Sequence, residues 1–184
     1  MAGNKKTQTP QEEWQADVRA AMASPVTSCR QDIAEMLWKK YKPLADAIQS
    51  ADDFHRVYDL IGQTVANFQW PIEALMWMGD VCESVLHENR QAAHWFKAAA
   101  DLGSPAGARN YADMIMSGAA QGDRQEAFQY YRQASDGGIA EASFVLGEFL
   151  RNAGKREDAL SCYRKSLAQG YEMAQVRIDQ MKGK

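Results

Sequence analysis

Small and apolar residues recur at a fixed interval over the last two-thirds of the chain. Counting from Gly138, a small residue, Ala142, stands four places on, and a larger apolar residue, Leu146, stands eight places on. This spacing puts both side chains on one face of a helix. The same pattern begins again at three other positions, Trp70, Gly103 and Gly170. Intervals of 32 to 35 residues between these blocks indicate a helical repeat.

A second pattern lies ahead of each of the last three blocks. An alanine is followed four residues later by an aromatic residue and seven residues later by a small one, again on one helix face. The three copies begin at Ala92, Ala127 and Ala159. The unit is therefore predicted to be helix A, turn, helix B, turn. Small residues let neighbouring helices approach closely, while the aromatic side chain fills the space between them.

The sequence thus predicts an all-α fold class, a solenoid of about three helix-turn-helix repeats closed by a C-terminal capping helix. The predicted bounds are 70–102, 103–137 and 138–169 for the repeats and 170–184 for the terminal helix.

Residues with helix-end preferences agree with this division. Gly118 suits the position just after a helix, where a positive φ is required. Asp123, three residues before Glu126, is typical of a helix N-terminal cap. Pro71 and Pro105 fit the first turns of their helices.

The first third of the chain does not follow the repeat. Residues 1–10 are polar, and we expect a disordered N-terminal tail. Residues 11–69 are predicted to form a non-repetitive N-terminal helical cap, because the end of a solenoid must shield an otherwise exposed apolar face. The alternative is a degenerate repeat joined to a partner-specific element.

The repeat residues resemble those of the Sel1-like repeats, relatives of the tetratricopeptide repeats. The resemblance covers 70–184, with departures at Ala112, Cys162 and Ser166. It implies a right-handed helical solenoid that serves as a protein-interaction scaffold without catalysis of its own. The matching positions in the third repeat and the start of the last block are Ala142, Leu146, Gly147, Leu150, Ala159, Tyr163 and Gly170.

Charge and hydropathy narrow the classes of partner. The 184 residues carry 21 basic and 24 acidic side chains, a net charge of −3 that lacks the basic excess typical of nucleic-acid binding. No apolar run approaches the ~20 residues of a membrane span. We therefore expect a partner protein, with neither nucleic-acid binding nor membrane insertion. The oligomeric state is left open.

The cysteines and the N-terminus indicate in which cellular compartment the protein is expected. Three widely spaced cysteines, Cys29, Cys82 and Cys162, are an odd number without a C-x-x-C motif, which argues against a disulfide framework or a zinc site. Cys82 and Cys162 are expected to be buried, reduced thiols. The N-terminus lacks a signal-peptide pattern, so a cytoplasmic location is expected. An exported form that has lost its leader is the alternative.

No recognisable catalytic pattern is present. Phosphate-binding loops, nucleophile elbows and metalloprotease motifs are all missing from the sequence. His55, His87 and His94 lie on different predicted elements and are expected to be exposed polar residues. We therefore expect no catalytic, metal-binding or cofactor-binding residues and no cofactor. An enzyme with an unrecognised site is the remaining alternative.

The resemblance to tetratricopeptide-like solenoids implies that the A helices line a concave face. Three equivalent positions on these helices then form an acidic column, flanked by apolar and basic side chains. The predicted partner-binding residues are Asp80, Asp113 and Glu148 in the column and Met76, Glu83, Arg109, Met116, Phe144 and Arg151 around it.

This surface leads to the hypothesis of a non-enzymatic adaptor whose concave groove binds a basic or amphipathic segment of another protein. The plainer alternative is a solvated face in which Arg109 and Asp113 form an ordinary i,i+4 pair. Another alternative is an immunity or inhibitor protein that neutralises a toxin by direct binding. Self-association through Trp14 or Trp38 is also open, although both are expected in the core.

Overall fold

The computed structural model describes residues 71–182 continuously, together with residues 12, 13, 16, 17, 38–40, 42, 43, 46, 47 and 52. The chain divides into two compact units, Met1–Ala74 and Leu75–Lys184. In the first unit the described residues are mostly helical, and Trp38 is buried. The predicted tail over 1–10, most of the predicted cap over 11–69, Trp14, Cys29 and His55 lie outside the described residues.

The repeat region is an all-α succession of helices, and consecutive helices from α2 to α7 pack against one another. No helix among the described residues is long and apolar enough to cross a bilayer. The helices are α1 (Ile72–Ser84), α2 (Asn89–Asp101), α3 (Pro105–Ser117), α4 (Arg124–Asp136), α5 (Ala140–Asn152), α6 (Arg156–Ala168) and α7 (Met173–Lys182).

The positions that define the repeat are the positions that the fold buries. In the A helices α1, α3, α5 and α7, the small residue four places into each block and the larger residue eight places in are all buried. The B helices α2, α4 and α6 bury the alanine, the aromatic residue four places on and the small residue seven places on. The helix A, helix B architecture predicted from the spacing is therefore confirmed.

The glycines of the A helices show how closely the helices approach. A Cβ atom at Gly147 of α5 would lie 2.5 Å from Cε1 of Tyr163 in α6, and one at Gly79 of α1 would collide in the same way with the ring of Phe96 in α2. On its other side, an A helix meets the preceding B helix: a Cβ at Gly107 would lie 2.8 Å from Cβ of Ala99. Small residues are thus required on both packed sides.

The helix ends follow the predicted capping residues. Gly118 adopts the left-handed conformation (φ 79°) just after α3. The side chain of Asp123 accepts a 2.8 Å hydrogen bond from the backbone N–H of Glu126 at the start of α4. Pro105 is the first residue of α3, and Pro71 directly precedes α1. The predictions for Gly118, Asp123 and Pro105 are confirmed, whereas Pro71 lies one residue before the first turn in which it was predicted.

The last helix completes the core at the C-terminal end. Ala174, Ile178 and Met181 of α7 join buried residues of α6 in one apolar cluster, against which Phe144 and Leu150 of α5 pack. Ser166, which departs from the usual alanine, donates a 2.7 Å hydrogen bond to the backbone carbonyl of Ala140. This bond satisfies the buried hydroxyl, so the substitution is accommodated.

We predict that Gly147→Ala lowers the free energy of unfolding by about 1–3 kcal/mol, because the added methyl group must displace the buried ring of Tyr163. In a Tyr163→Leu background, which lacks the ring atoms Cε1 and Cζ, the same substitution should instead be neutral or stabilising, since Gly→Ala favours a helix. Urea denaturation of the four proteins of this double-mutant cycle measures the coupling. Equal effects in both backgrounds would contradict the packing argument.

Candidate functional site

A cavity of about 330 Å³ opens between the A helices of the first two repeats. Glu83 contributes from α1, and Arg109 and Asp113 contribute from α3. Three of the predicted concave-face residues thus share one concavity. Its other lining residues are Asn89, Phe96, Asn110, Met114, Ser117 and Ala119.

Asp113 has two partners inside the protein. Its Oδ2 atom lies 2.9 Å from Nε of Arg109, which is the i,i+4 pair expected from the sequence. Its Oδ1 atom accepts a 2.5 Å hydrogen bond from the hydroxyl of Tyr131 in α4. Burial, followed by this hydrogen bond, raises the pKa of Tyr131, so the tyrosine stays a neutral donor.

Glu148, one repeat further on, repeats this arrangement with a larger set of donors. Its Oε1 atom accepts hydrogen bonds from the hydroxyl of Tyr163 (2.6 Å) and from Nε of Arg177 (2.8 Å). Its Oε2 atom accepts a 2.8 Å hydrogen bond from a terminal guanidinium nitrogen of Arg151. In both repeats, therefore, the tyrosine of the B helix holds the carboxylate of the A helix.

These contacts have opposite effects on the two partners. Burial alone would raise the pKa of Glu148, but the hydrogen bonds from Tyr163, Arg151 and Arg177 outweigh it and lower the pKa below its usual value. Burial and the hydrogen bond to Glu148 raise the pKa of Tyr163 to about 12. The carboxylate is consequently ionised and the phenol neutral at physiological pH.

The first repeat lacks this hydrogen bond because its aromatic residue is Phe96, which has no hydroxyl. The carboxylates of Asp80 and Glu83 receive no hydrogen bond and form no ion pair with any side chain that the structure describes. Partial burial raises the pKa of Asp80, and the nearby charge of Glu83 raises it further. The acidic column predicted from the sequence therefore has two carboxylates with internal partners and one without.

The predicted apolar residues of the groove differ in exposure. Met116 of α3 is 42% exposed, whereas Met76 of α1 is only partly exposed. Phe144 of α5 is also partly buried, and its ring contacts the rings of Tyr163 and Tyr171. Met116 is therefore the one most available for an apolar contact.

Two arginines near the C-terminal end of the repeats were missed by the sequence analysis, one at the start of α6 and one in α7. Arg156 and Arg177 border a second cavity of about 620 Å³, together with the predicted residue Arg151. The signal for Arg177 was present, because it lies three residues before Gln180, which is equivalent to Asp80, Asp113 and Glu148, and residues three apart share a helix face. Its contact with Glu148 depends on the offset between α5 and α7.

Histidine and cysteine chemistry adds no second site within the described residues. No group of three or more His, Cys, Asp or Glu side chains there is arranged to hold a metal ion. His87 and His94 are exposed, as expected. Cys82 is buried and free, as predicted, but Cys162 is only partly buried. Burial raises the pKa of both thiols, to about 11 for Cys82, which disfavours the reactive thiolate.

We predict that Glu148→Gln removes an acid-sensitive part of the stability. Since folding lowers the pKa of Glu148, its contribution is present above the usual value of 4.5 and is lost as pH falls through the lowered folded-state value. The variant should lose about 1–2 kcal/mol at pH 7 and less at pH 3, as charge-assisted hydrogen bonds are weakened. Urea titrations at both pH values measure this, with the exposed Glu141→Gln as control. A loss that is independent of pH would contradict the assignment.

Comparisons with known proteins place this geometry in context. No protein-family model matches the chain, and no curated protein matches it either. Several solved structures do match the chain. A structure described as c5321, "a protective antigen present in uropathogenic Escherichia coli strains displaying an SLR fold", matches 94% of the chain with a TM-score of 0.65 and 18% identity. A Sel1 repeat protein from Oxalobacter formigenes matches 93% with a TM-score of 0.54 and 17% identity.

MamA matches 92% of the chain and 99% of its own length, with a TM-score of 0.50 and 15% identity. The chain spans 41% of the length of the c5321 structure and 59% of that of the Oxalobacter protein. At identities this low, the similarity shows the fold alone. Together with the buried repeat positions, these similarities show that the chain has the fold of the Sel1-like repeat proteins, an all-α solenoid of helical pairs.

Proposed function

We propose that this chain is a non-enzymatic adaptor that binds a segment of a partner protein in the groove formed by its A helices. The observation that carries the proposal is the cavity between α1 and α3, which is lined by charged, amide and hydroxyl side chains from two repeats. A concave, partly apolar site with convergent polar groups is the usual form of a binding site. The similarity in fold to Sel1 repeat proteins supports an interaction module.

The charge at the α1 end favours a basic residue of the partner. Asp80 and Glu83 are two acidic residues one helical turn apart. Burial is the main reason that the pKa of Asp80 is raised, and repulsion by Glu83 adds to it. A lysine or arginine side chain placed between them would relieve this repulsion.

Apolar contacts would supply the remaining affinity. Met116 is exposed at the end of α3, on the helix that forms one wall of the cavity. Flexible methionine side chains adapt to irregular apolar partners. A basic segment that also carries an apolar residue therefore fits this groove better than a purely charged one.

Site-specific photo-crosslinking tests the proposal directly. A benzophenone amino acid at Ser117, on the cavity wall, should crosslink a partner protein in the native lysate, whereas the same probe at the exposed Gln125 of α4 should not. The Asp80→Lys/Glu83→Lys double variant should lose the crosslink. Glu141→Lys/Glu172→Lys, with the same change in charge at exposed positions outside the cavity, should retain it. Equal crosslinking in both double variants would refute a role for this groove. A single toxic partner retained at high salt would instead favour the inhibitor role.

We also predict that Asp80→Asn stabilises the folded protein while it weakens binding. Because folding raises the pKa of Asp80, its ionised form opposes folding above that pKa, and stability falls as pH rises through it. The gain at pH 7 should be only a few tenths of a kcal/mol, since the side chain is only partly buried and solvent screens its charge. Thermal unfolding at pH 7 measures the gain, and it should vanish at pH 3. A destabilised variant would contradict the prediction.

A further inference from the structure

The cavity bordered by Arg151, Arg156 and Arg177 lies at the last A helix, α7, and the net charge of its lining is opposite to that of the cavity between α1 and α3. Its volume is about 620 Å³, and it opens between the end of α5, the short α5–α6 connection and α7. Three arginines line it: Arg151 near the end of α5, Arg156 at the start of α6 and Arg177 in α7. The other lining residues are Gly154, Asp179, Gln180 and Met181.

Arg177 is held in place by contacts on several sides. Its Nε atom donates to Glu148 (2.8 Å), and one terminal nitrogen donates to Oε1 of Gln180 (3.0 Å). Its guanidinium carbon lies 6.0 Å from the centre of the Phe144 ring. A donor fixed in this way loses little entropy on binding a ligand.

Arg156 is the contrasting member of the cluster. It is exposed, and among the residues that the structure describes none forms a side-chain hydrogen bond or ion pair with it. Its guanidinium group therefore has all five donors available at the edge of the cavity.

The charges at this cavity do not balance. Facing the three guanidinium groups are the carboxylates of Glu148, which Arg151 and Arg177 share, and of Asp179, which accepts a 2.8 Å hydrogen bond from Gln175. One positive charge is left over. A single incoming carboxylate would neutralise it and could receive paired hydrogen bonds from a guanidinium fork.

We propose that this cavity is a carboxylate-binding site that receives an aspartate or glutamate side chain of the partner segment. The proposal rests on the adaptor function and adds to it a second recognition point of opposite sign. The partner segment should therefore carry a basic residue and, further along, an acidic residue.

The test uses the full chain and a defined probe, acetyl-tetraglutamate amide, followed by the NMR signals of the arginine Nε–Hε groups. We expect saturable shifts at Arg151, Arg156 and Arg177 and none at the exposed Arg132 of α4. The matched probe, acetyl-tetraglutamine amide, should cause no shift. Arg156→Gln should lower the affinity for the glutamate probe about fivefold, and Arg132→Gln should leave this affinity unchanged.

Three results would overturn the carboxylate site: no saturable shift at the three arginines, an equal response to the glutamine probe, or an equal affinity in Arg156→Gln. Inorganic phosphate serves as a further probe, and an equally strong response to it would refute selectivity for carboxylate. The adaptor function is judged separately by the crosslink at Ser117. If the crosslink at Ser117 is retained but the arginines do not respond to the glutamate probe, the carboxylate site alone is refuted. If the arginines respond but no partner is crosslinked, the adaptor function is refuted.

Discussion

The close approach of a B-helix aromatic ring to a glycine of its A helix is the constraint on which the packing of the first and third repeats depends. In the first and third repeats the ring rests on a glycine, so no Cβ separates the two helices. Because Phe96 and Tyr163 are fully buried there, the ring also closes the core. The same contact sets how far the para position of the ring extends toward the groove, and it thereby connects packing in the core to chemistry at the surface.

The groove's charge depends on what stands at that para position. A hydroxyl is present in the second and third repeats, where Tyr131 and Tyr163 bind Asp113 and Glu148. Arginines complete the pairing of both carboxylates. In the first repeat Phe96 leaves Asp80 without this donor. The unpaired acidity therefore collects at the α1 end, although carboxylates occupy the equivalent position in all three repeats.

Much of the fold could be predicted because its determinants are local. The burial of Ala142 and Leu146 follows from helical periodicity, and the caps at Gly118 and Asp123 follow from backbone preferences within a few residues. The pairing of Arg177 with Glu148 could not be predicted in this way. It joins residues 29 positions apart and depends on the offset between two helices, which periodicity within each helix does not determine.

The choice between phenylalanine and tyrosine lets a repeat change its surface without changing its core. Both rings fill the same space against a glycine, as the similar contacts at Gly79 and Gly147 show. Only tyrosine donates a hydrogen bond to the carboxylate across the helix pair. In the third repeat this bond, together with those from Arg151 and Arg177, lowers the pKa of Glu148, whereas burial and Glu83 raise the pKa of Asp80. A carboxylate that is unstabilised within its own chain gains most from an external cation. The aromatic position, although buried, thus helps to determine which repeat of the proposed groove can attract a basic partner.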